Sequence, residues 1–390
     1  MDKIRSISIL GSTGSIGTQA LQVIESNPGR FKVTALSAHR NHTLLFDQVR
    51  KYRPLFAGIT AGEVEIPDDL KFCEWRFGPE ALEMAAGEVP CDDVLLAVVG
   101  IAGLKGVMSA RKSGKRVLLA NKEALVAGGQ LVMNACPHDE DNPGLIPVDS
   151  EHSAVFQCLL AARGNRFDKI ILTASGGPFR SWTAEKIKTA RLGDALKHPT
   201  WRMGKKITVD SASMFNKALE IIEAKWLFDA GVEQIEVLIH PESIIHSMVC
   251  FQDGAMMAQL GMPDMKVPIA YAMNYPERLV NHSPTLQLSK LGTMHFEAPD
   301  PCRFPALRLS YQALKAGGTA CCTLNAANEM AAEAFISGKI GFWQIAGVVE
   351  ETLSRLGTCP AGSLEDILEA DGLARKMADK LISKVISEDT

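Results

Sequence analysis

Asp149 and Glu151 stand two residues apart, directly after the apolar run LIPV at 145–148. In extended chain both carboxylates project to one face, where like charges repel unless a cation lies between them. A divalent ion would supply that charge, and hard oxygen donors favour Mg²⁺ or Mn²⁺ over zinc. A helix cap is the competing reading, since Asp and Glu also open helices and residues 153–162 carry a helical pattern. A third carboxylate, Glu220, shares a helix face with Asn216 and Lys217, four and three residues before it. One turn, about 5.4 Å along the axis, would separate an anion-binding end from a further metal ligand. Otherwise Lys217 and Glu220 form an ordinary surface ion pair, worth about 0.3–0.5 kcal/mol.

A second group of residues suits a nucleotide. The apolar run SISIL at 6–10 leads into Gly11-Ser12-Thr13-Gly14-Ser15-Ile16-Gly17. Glycines at this spacing let the backbone approach a pyrophosphate, and the amides of the following helix N-terminus donate to it. A tight turn without a ligand is the alternative, and placement after the first strand favours the nucleotide. The second strand ends in Ser37-Ala38-His39-Arg40-Asn41. It offers no acid for a ribose 2′-hydroxyl, whereas Arg40 can pair with a 2′-phosphate, so NADP(H) is preferred over NAD(H). A solvated loop charge is the other reading of Arg40. Ala120-Asn121-Lys122-Glu123 follows another apolar strand and opens a helix, where Lys122 either bonds a substrate oxygen or faces solvent.

Two further segments suit an anion and a lid. Thr173-Ala174-Ser175-Gly176-Gly177 offers amides and a hydroxyl after an apolar strand, or is a plain turn. The basic stretch at 197–206 places Trp201 in a polar loop after His198 and before Gly204. A large aromatic there is a candidate lid, or an anchor for a surface loop.

The elements that must position these groups follow from hydrophobic runs. Strands are expected at 6–10, 32–36, 94–99, 116–120 and 145–148, with helices at 44–52, 104–113 and 124–133 between them. That alternation predicts an α/β, doubly wound sheet. Asp253-Gly254 between apolar runs at 244–251 and 255–260 marks a hairpin. The stretch at 276–305 is proline-rich and reads as a linker, with amphipathic helices after it at 306–315, 324–336, 345–356 and 373–386. A chain of 390 residues exceeds what one core usually serves, so two or three domains are expected. The net charge of −4 without a basic tract argues against nucleic-acid binding. No signal peptide is recognisable and no apolar run reaches membrane-spanning length, so a cytoplasmic location is expected. Nine scattered cysteines without Cys-x-x-Cys spacing suggest neither zinc nor a disulfide framework.

Taken in order, GSTGSIG (11–17), ANKE (120–123), PVDSEH (147–152), SGGPF (175–179), the segment 198–204, the segment 209–220, HPESIIHSM (240–248) and LNAANE (324–329) resemble the 1-deoxy-D-xylulose 5-phosphate reductoisomerase family nearly end to end. The resemblance implies an N-terminal Rossmann-like NADPH domain (1–149), a central α+β catalytic and dimerisation domain with a flap (150–275), a linker (276–305) and a C-terminal α-helical bundle (306–390). It implies an NADPH- and divalent-metal-dependent enzyme (Mg²⁺, Mn²⁺ or Co²⁺), a small sugar-phosphate substrate and a homodimer. By similarity, Thr13, Gly14, Ser15, Ile16, His39, Arg40, Asn41, Asn121, Glu123 and Gly204 bind the cofactor. Asp149, Glu151 and Glu220 bind the metal. Ser175, Ser211, Asn216 and Lys217 anchor the substrate phosphate. Lys122, Ser150 and His198 surround its carbon skeleton, with Lys122, Glu151 and His198 the catalytic candidates. Ala174 stands where the family has glycine, and His39-Arg40 where Gly-Lys is common. The first is expected to stiffen the phosphate loop slightly. The second keeps the positive charge. A plain NADP-dependent polyol-phosphate dehydrogenase and a non-enzymatic NADPH sensor are the alternatives. Product connectivity separates the first from a reductoisomerase, and metal-dependent turnover excludes the second.

Overall fold

The structure is a computed structural model that describes residues 4–137, 142–201 and 203–388. They divide into two compact units. The first comprises the described residues of Met1–Ala124, Val132–Ser153 and Asp264–Pro284, and the second those of Leu125–Leu131, Ala154–Pro263 and Thr285–Thr390.

The first unit is built on seven parallel strands: β1 (Arg5–Leu10), β2 (Phe31–Ala38), β3 (Phe56–Ile59), β4 (Glu74–Phe77), β5 (Asp93–Leu96), β6 (Arg116–Leu119) and β7 (Leu145–Pro147). Their order is β4-β3-β2-β1-β5-β6-β7. The winding direction reverses between β1 and β5, and ligands of open α/β sheets bind at such a switch point, beyond the carboxyl ends of the strands. Near-continuous apolar runs such as Val94-Leu95-Leu96 are fully buried, as a sheet covered on both faces requires. The charges at the start of β5 and β6 neutralise each other, Arg116 forking onto Asp93 at 2.7 and 3.0 Å. Lys115 is also buried, and its ammonium donates to the carbonyls of Ala86, Gly87 and Val89, ending helix Glu80–Gly87.

The strands and helices expected from the sequence are present, with informative differences. β3 and β4 escaped the hydrophobic pattern. β3 carries Gly58, where a Cβ would lie 3.1 Å from the Ala81 side chain, and β4 (EWRF) is a half-exposed edge strand. The strand expected at 94–99 ends at Leu96. Asn121 draws the next turn away from the ladder, its Nδ2 donating to the carbonyls of Val98 and Gly100.

The second unit has a four-stranded sheet in the order β11-β10-β8-β9, from β8 (Phe167–Ala174), β9 (Ile235–Ile239), β10 (Ile245–Phe251) and β11 (Met256–Leu260). β8 and β9 are parallel and the other pairs antiparallel, with the expected hairpin joining β10 to β11. Helices Lys205–Ala212 and Phe215–Leu227 are joined by Met214, whose φ of 64° is left-handed. That conformation costs about 1–2 kcal/mol in a non-glycine residue, and the buried Met214 side chain holds the turn in place. All four expected C-terminal helices form, as Ala306–Ala316, Ala320–Ile336, Gln344–Leu356 and Leu364–Glu388. Ala320–Ile336 is alanine-rich and buried on nearly every side, as expected of a helix packed among the others.

The helix expected at 124–133 spans Lys122–Ala135 but kinks at Gly129 (φ 38°, ψ −116°). The Trp226 indole lies against the kink, and a Cβ at Gly129 would sit 2.8 Å from Trp226 Cε2. Only glycine satisfies both the dihedral and the contact.

Candidate active site

In the first unit the glycine turn follows β1. Gly11 has φ +84°, and a Cβ there would lie 2.5 Å from the Ala97 carbonyl oxygen. At Gly17 a Cβ would lie 2.5 Å from Ser12 Cα. Backbone therefore meets backbone on both sides of the turn. Helix Ser15–Ser26 begins with Gly14 at its cap, has no side-chain cap and carries no acid in its first turn. Its N-terminal amides and partial positive charge remain for an anion. Gly14 and Ser15 are exposed, and Thr13 and Ile16 half-buried.

Ser12 points inward instead. It donates to Gln48 Oε1 (2.6 Å), and Gln48 returns a bond from Nε2 to the Ser12 carbonyl (2.9 Å). Gln48 was not legible as a site-shaping residue, because its partner lies 36 residues away. After β2, His39, Arg40 and Asn41 are all exposed. His39 Nδ1 pairs with Thr60 Oγ1 (2.9 Å), and Asn41 Oδ1 caps helix His42–Tyr52 by accepting from Leu44 N–H (3.3 Å).

Asn121 is fully buried and also bonds Glu123 Oε2 (2.9 Å). Lys122 Nζ lies 2.9 Å from Asp149 Oδ2. Asp149 Oδ1 accepts the N–H of Glu151 (3.2 Å), and Ser150 Oγ donates to Glu151 Oε2. The cap reading of Asp149 and Glu151 describes their backbone, which opens a helix and does not run on as a strand. Helix Ser150–Ala162 starts three residues earlier than its pattern suggested, so Asp149 caps it and Glu151 lies in its first turn. Burial alone would raise the Asp149 carboxyl, but the Lys122 ammonium and the His152 ring beside it hold it well below the usual carboxylate range.

In the second unit, the anion residues converge from three segments. The Ser175 loop follows β8, and its Gly177 (φ +66°) lies so near helix Lys205–Ala212 that a Cβ would be 2.8 Å from the Ser211 carbonyl oxygen. Lys217 Nζ donates back to the Thr173 carbonyl at the end of β8. Ser175, Ser211, Asn216 and Lys217 are thereby held in one neighbourhood. Lys217 and Glu220 are no surface pair: their side chains are 3% and 1% exposed and in direct contact, and Asn216 Nδ2 also donates to Glu220. Ala174 is the last residue of β8, pairing with Ile239 before the loop turns.

His198 Nδ1 accepts N–H bonds from Thr200 (3.2 Å) and Trp201 (2.9 Å). A neutral ring so bonded carries its proton on Nε2, and that nitrogen lies 3.2 Å from Ser175 Oγ. Burial pushes the His198 ring down to about 4. The Trp201 ring lies 6.5 Å from that of His246. Arg202, within the expected flap, lies outside the described residues. Gly204 caps helix Lys205–Ala212.

Three family models match the chain: 1-deoxy-D-xylulose 5-phosphate reductoisomerase at residues 7–129, its C-terminal domain at 145–228, and the DXP reductoisomerase C-terminal domain at 260–377. A 1-deoxy-D-xylulose 5-phosphate reductoisomerase of Ralstonia nicotianae is 49% identical over 386 residues, covering 97% of this chain and 98% of the relative. The chain belongs to the 1-deoxy-D-xylulose 5-phosphate reductoisomerase family. Among solved structures of the family, the enzyme from Zymomonas mobilis in complex with NADPH superposes with a TM-score of 0.88 at 42% identity, covering 97% of this chain and 99% of that one. A DOX-P reductoisomerase in complex with NADPH, fosmidomycin and magnesium gives 0.89 at 38% identity, covering 97% and 98%.

Proposed function

We propose that the residues assembled above carry out the family's reaction in this chain. The protein is an NADPH- and divalent-metal-dependent enzyme that rearranges and reduces 1-deoxy-D-xylulose 5-phosphate to 2-C-methyl-D-erythritol 4-phosphate, in isoprenoid precursor biosynthesis. The observation that carries this reading is likeness over 97% of the chain to reductoisomerases of nearly equal length.

The residues fit both required groups. The glycine turn is a cradle that a Cβ would fill at Gly11 and at Gly17, and it suits the pyrophosphate of NADPH with Thr13, Gly14, Ser15 and Ile16 around it. Arg40 answers the 2′-phosphate, between His39 and Asn41. Asn121 and Glu123 act through the Val98–Gly100 turn that Asn121 holds, and Gly204 completes the set of cofactor residues. Asp149, Glu151 and Glu220 are hard oxygen donors suited to Mg²⁺ or Mn²⁺. When bound, the ion polarises the ketone and hydroxyl oxygens of the substrate, and NADPH supplies the hydride. Lys122 and Ser150 donate hydrogen bonds to the carbon skeleton, and His198 orients it through the Nε2 proton. Ser175, Ser211, Asn216 and Lys217 hold the phosphate, so that remote binding energy fixes the reacting carbons. The segment around Trp201 closes as a flap and excludes water.

The chain acts as a homodimer in this reading. Support comes from edge strand β11, whose Met256 and Leu260 are 54% and 37% exposed, an open apolar edge of the kind that proteins pair or cover. Among the described residues no helix is long and apolar enough to cross a membrane, and a cytoplasmic location is proposed. Residues 150–275 would supply catalysis and dimerisation, and 306–390 the helical domain.

The test follows NADPH oxidation with 1-deoxy-D-xylulose 5-phosphate, with and without Mn²⁺, and determines the carbon skeleton of the product. Metal-dependent formation of the branched product is expected. An unbranched product would favour the polyol-phosphate dehydrogenase.

A further inference from the structure

The LNAANE segment at 324–329 lies in helix Ala320–Ile336, and none of its residues has a role assigned above. Its Asn328 is fully buried. Nδ2 donates to Asp210 Oδ1 at 3.0 Å, while Oδ1 has no hydrogen-bond partner among the described residues. The opposite amide orientation would set a carbonyl against a carboxylate, so Asp210 fixes which end of the amide faces it. Asp210 is itself only 2% exposed, and its other oxygen takes Lys206 Nζ at 2.6 Å.

Asp210 and Lys206 both lie in helix Lys205–Ala212. That short helix starts at Gly204, where the flap segment ends, and carries Ser211 beside the backbone of Gly177. Apart from Asp210 its buried residues are only Thr208, Val209 and Ala212, a small apolar surface with which to fix its register. Two apolar side chains would join the helices without leaving a buried carbonyl unpaired, an arrangement that costs free energy. A directional bond defines one rotation and one height of the helix, which packing of small side chains does not.

We propose that Asn328 is a positioning residue for the sugar phosphate. Through Asp210 and Lys206 it fixes helix Lys205–Ala212, and with it the Ser211 hydroxyl and the base of the flap. The inference rests on the assignment of Ser211 to the phosphate, made above.

The experiment measures kcat and both KM values for the full-length enzyme carrying Asn328→Leu, Asn328→Asp, the exchange Asn328→Asp with Asp210→Asn, or Ser211→Ala, with thermal melts for each. Asn328→Leu keeps the volume and removes the donor. It should raise KM for 1-deoxy-D-xylulose 5-phosphate about tenfold, leaving KM for NADPH within about twofold. Asn328→Asp alone keeps the shape but opposes two carboxylates and should raise the same sugar-phosphate KM. The exchange restores an amide–carboxylate bond and should recover most of that loss, whereas a packing role predicts no loss in either isosteric variant. A folded Asn328→Leu enzyme with an unchanged sugar-phosphate KM, or with both KM values raised together, overturns the proposal. If Asn328→Leu does not fold, the isosteric variants decide: a sugar-phosphate KM raised in Asn328→Asp and near wild type in the exchange supports the bond. An unchanged one in Asn328→Asp, or a raised one in the exchange at intact melting temperature, overturns it. Ser211→Ala separates the two readings. If it leaves KM unchanged, the phosphate assignment falls, and this proposal with it. If it raises KM while Asn328→Leu does not, only this proposal falls.

Discussion

Nε2 of His198 lies 3.2 Å from Ser175 Oγ, and the ring's other nitrogen is occupied by the backbone N–H groups of Thr200 and Trp201. Ser175 Oγ also accepts the N–H of Gly177 at 3.2 Å. With two donors directed at it, the hydroxyl has its own hydrogen left to give to a phosphate oxygen. The same bonds tie the start of the flap to the anion loop.

His198 should make folding stability sensitive to mild acid. Its value falls from 6.5 to about 4 on folding, so the unfolded chain takes up the proton first as pH drops. The stabilisation is complete above pH 6.5 and is lost as pH falls toward about 4, amounting to at most about 3 kcal/mol. Urea midpoints between pH 7 and 4 should decline less steeply in His198→Asn. Parallel curves for the two proteins would refute the assignment.

Glu220→Gln should cut turnover at least a hundredfold at saturating Mg²⁺. It should also destabilise the fold by about 3 kcal/mol, because Lys217 would be left as a buried charge without its anion. Near-normal rates at saturating metal would remove Glu220 from the metal site. Denaturant titration measures the stability half of the prediction independently.

Arg40→Ala should weaken NADPH binding about tenfold or more and leave NADH binding nearly unchanged, since only the 2′-phosphate distinguishes the two. Fluorescence titration with each nucleotide reads the ratio. Equal losses for both would place Arg40 outside the 2′-phosphate pocket.

Gly17→Ala should fail as a cofactor-binding protein. The added Cβ meets Ser12 Cα at 2.5 Å, backbone that cannot yield without moving the turn. A stability loss of about 1–3 kcal/mol is expected, together with loss of NADPH binding in nucleotide titration. Gly204→Ala is the contrast, because nothing lies within 4 Å of a Cβ there. It should retain wild-type stability.

Much of this molecule is local in origin and was readable as such. Buried parallel strands need continuous apolar runs, which made β1, β2, β5, β6 and β7 visible along with the amphipathic C-terminal helices. The glycine turn, the carboxylates and the small-residue loop were visible because each chemistry demands particular residue types at short spacing. What escaped depended on partners distant in the chain. β4 is a half-exposed edge, Gln48 reaches back to Ser12, and Asn121 cuts β5 short through two carbonyls more than 20 residues before it.

The sequence by itself determined the chain's family, its alternating α/β plan and the inventory of groups able to bind a nucleotide, a metal and a phosphate. Only the tertiary structure decided their state. It turned Lys217–Glu220 from a surface pair into a buried one, brought Lys122 to sustain the charge of the Asp149 cap, and set the proton of His198 on Nε2. Spacing along one element fixes which side chains share a face. Burial, dielectric environment and hydrogen-bond partners are set by what other elements bring against that face, and those contacts have no local signature.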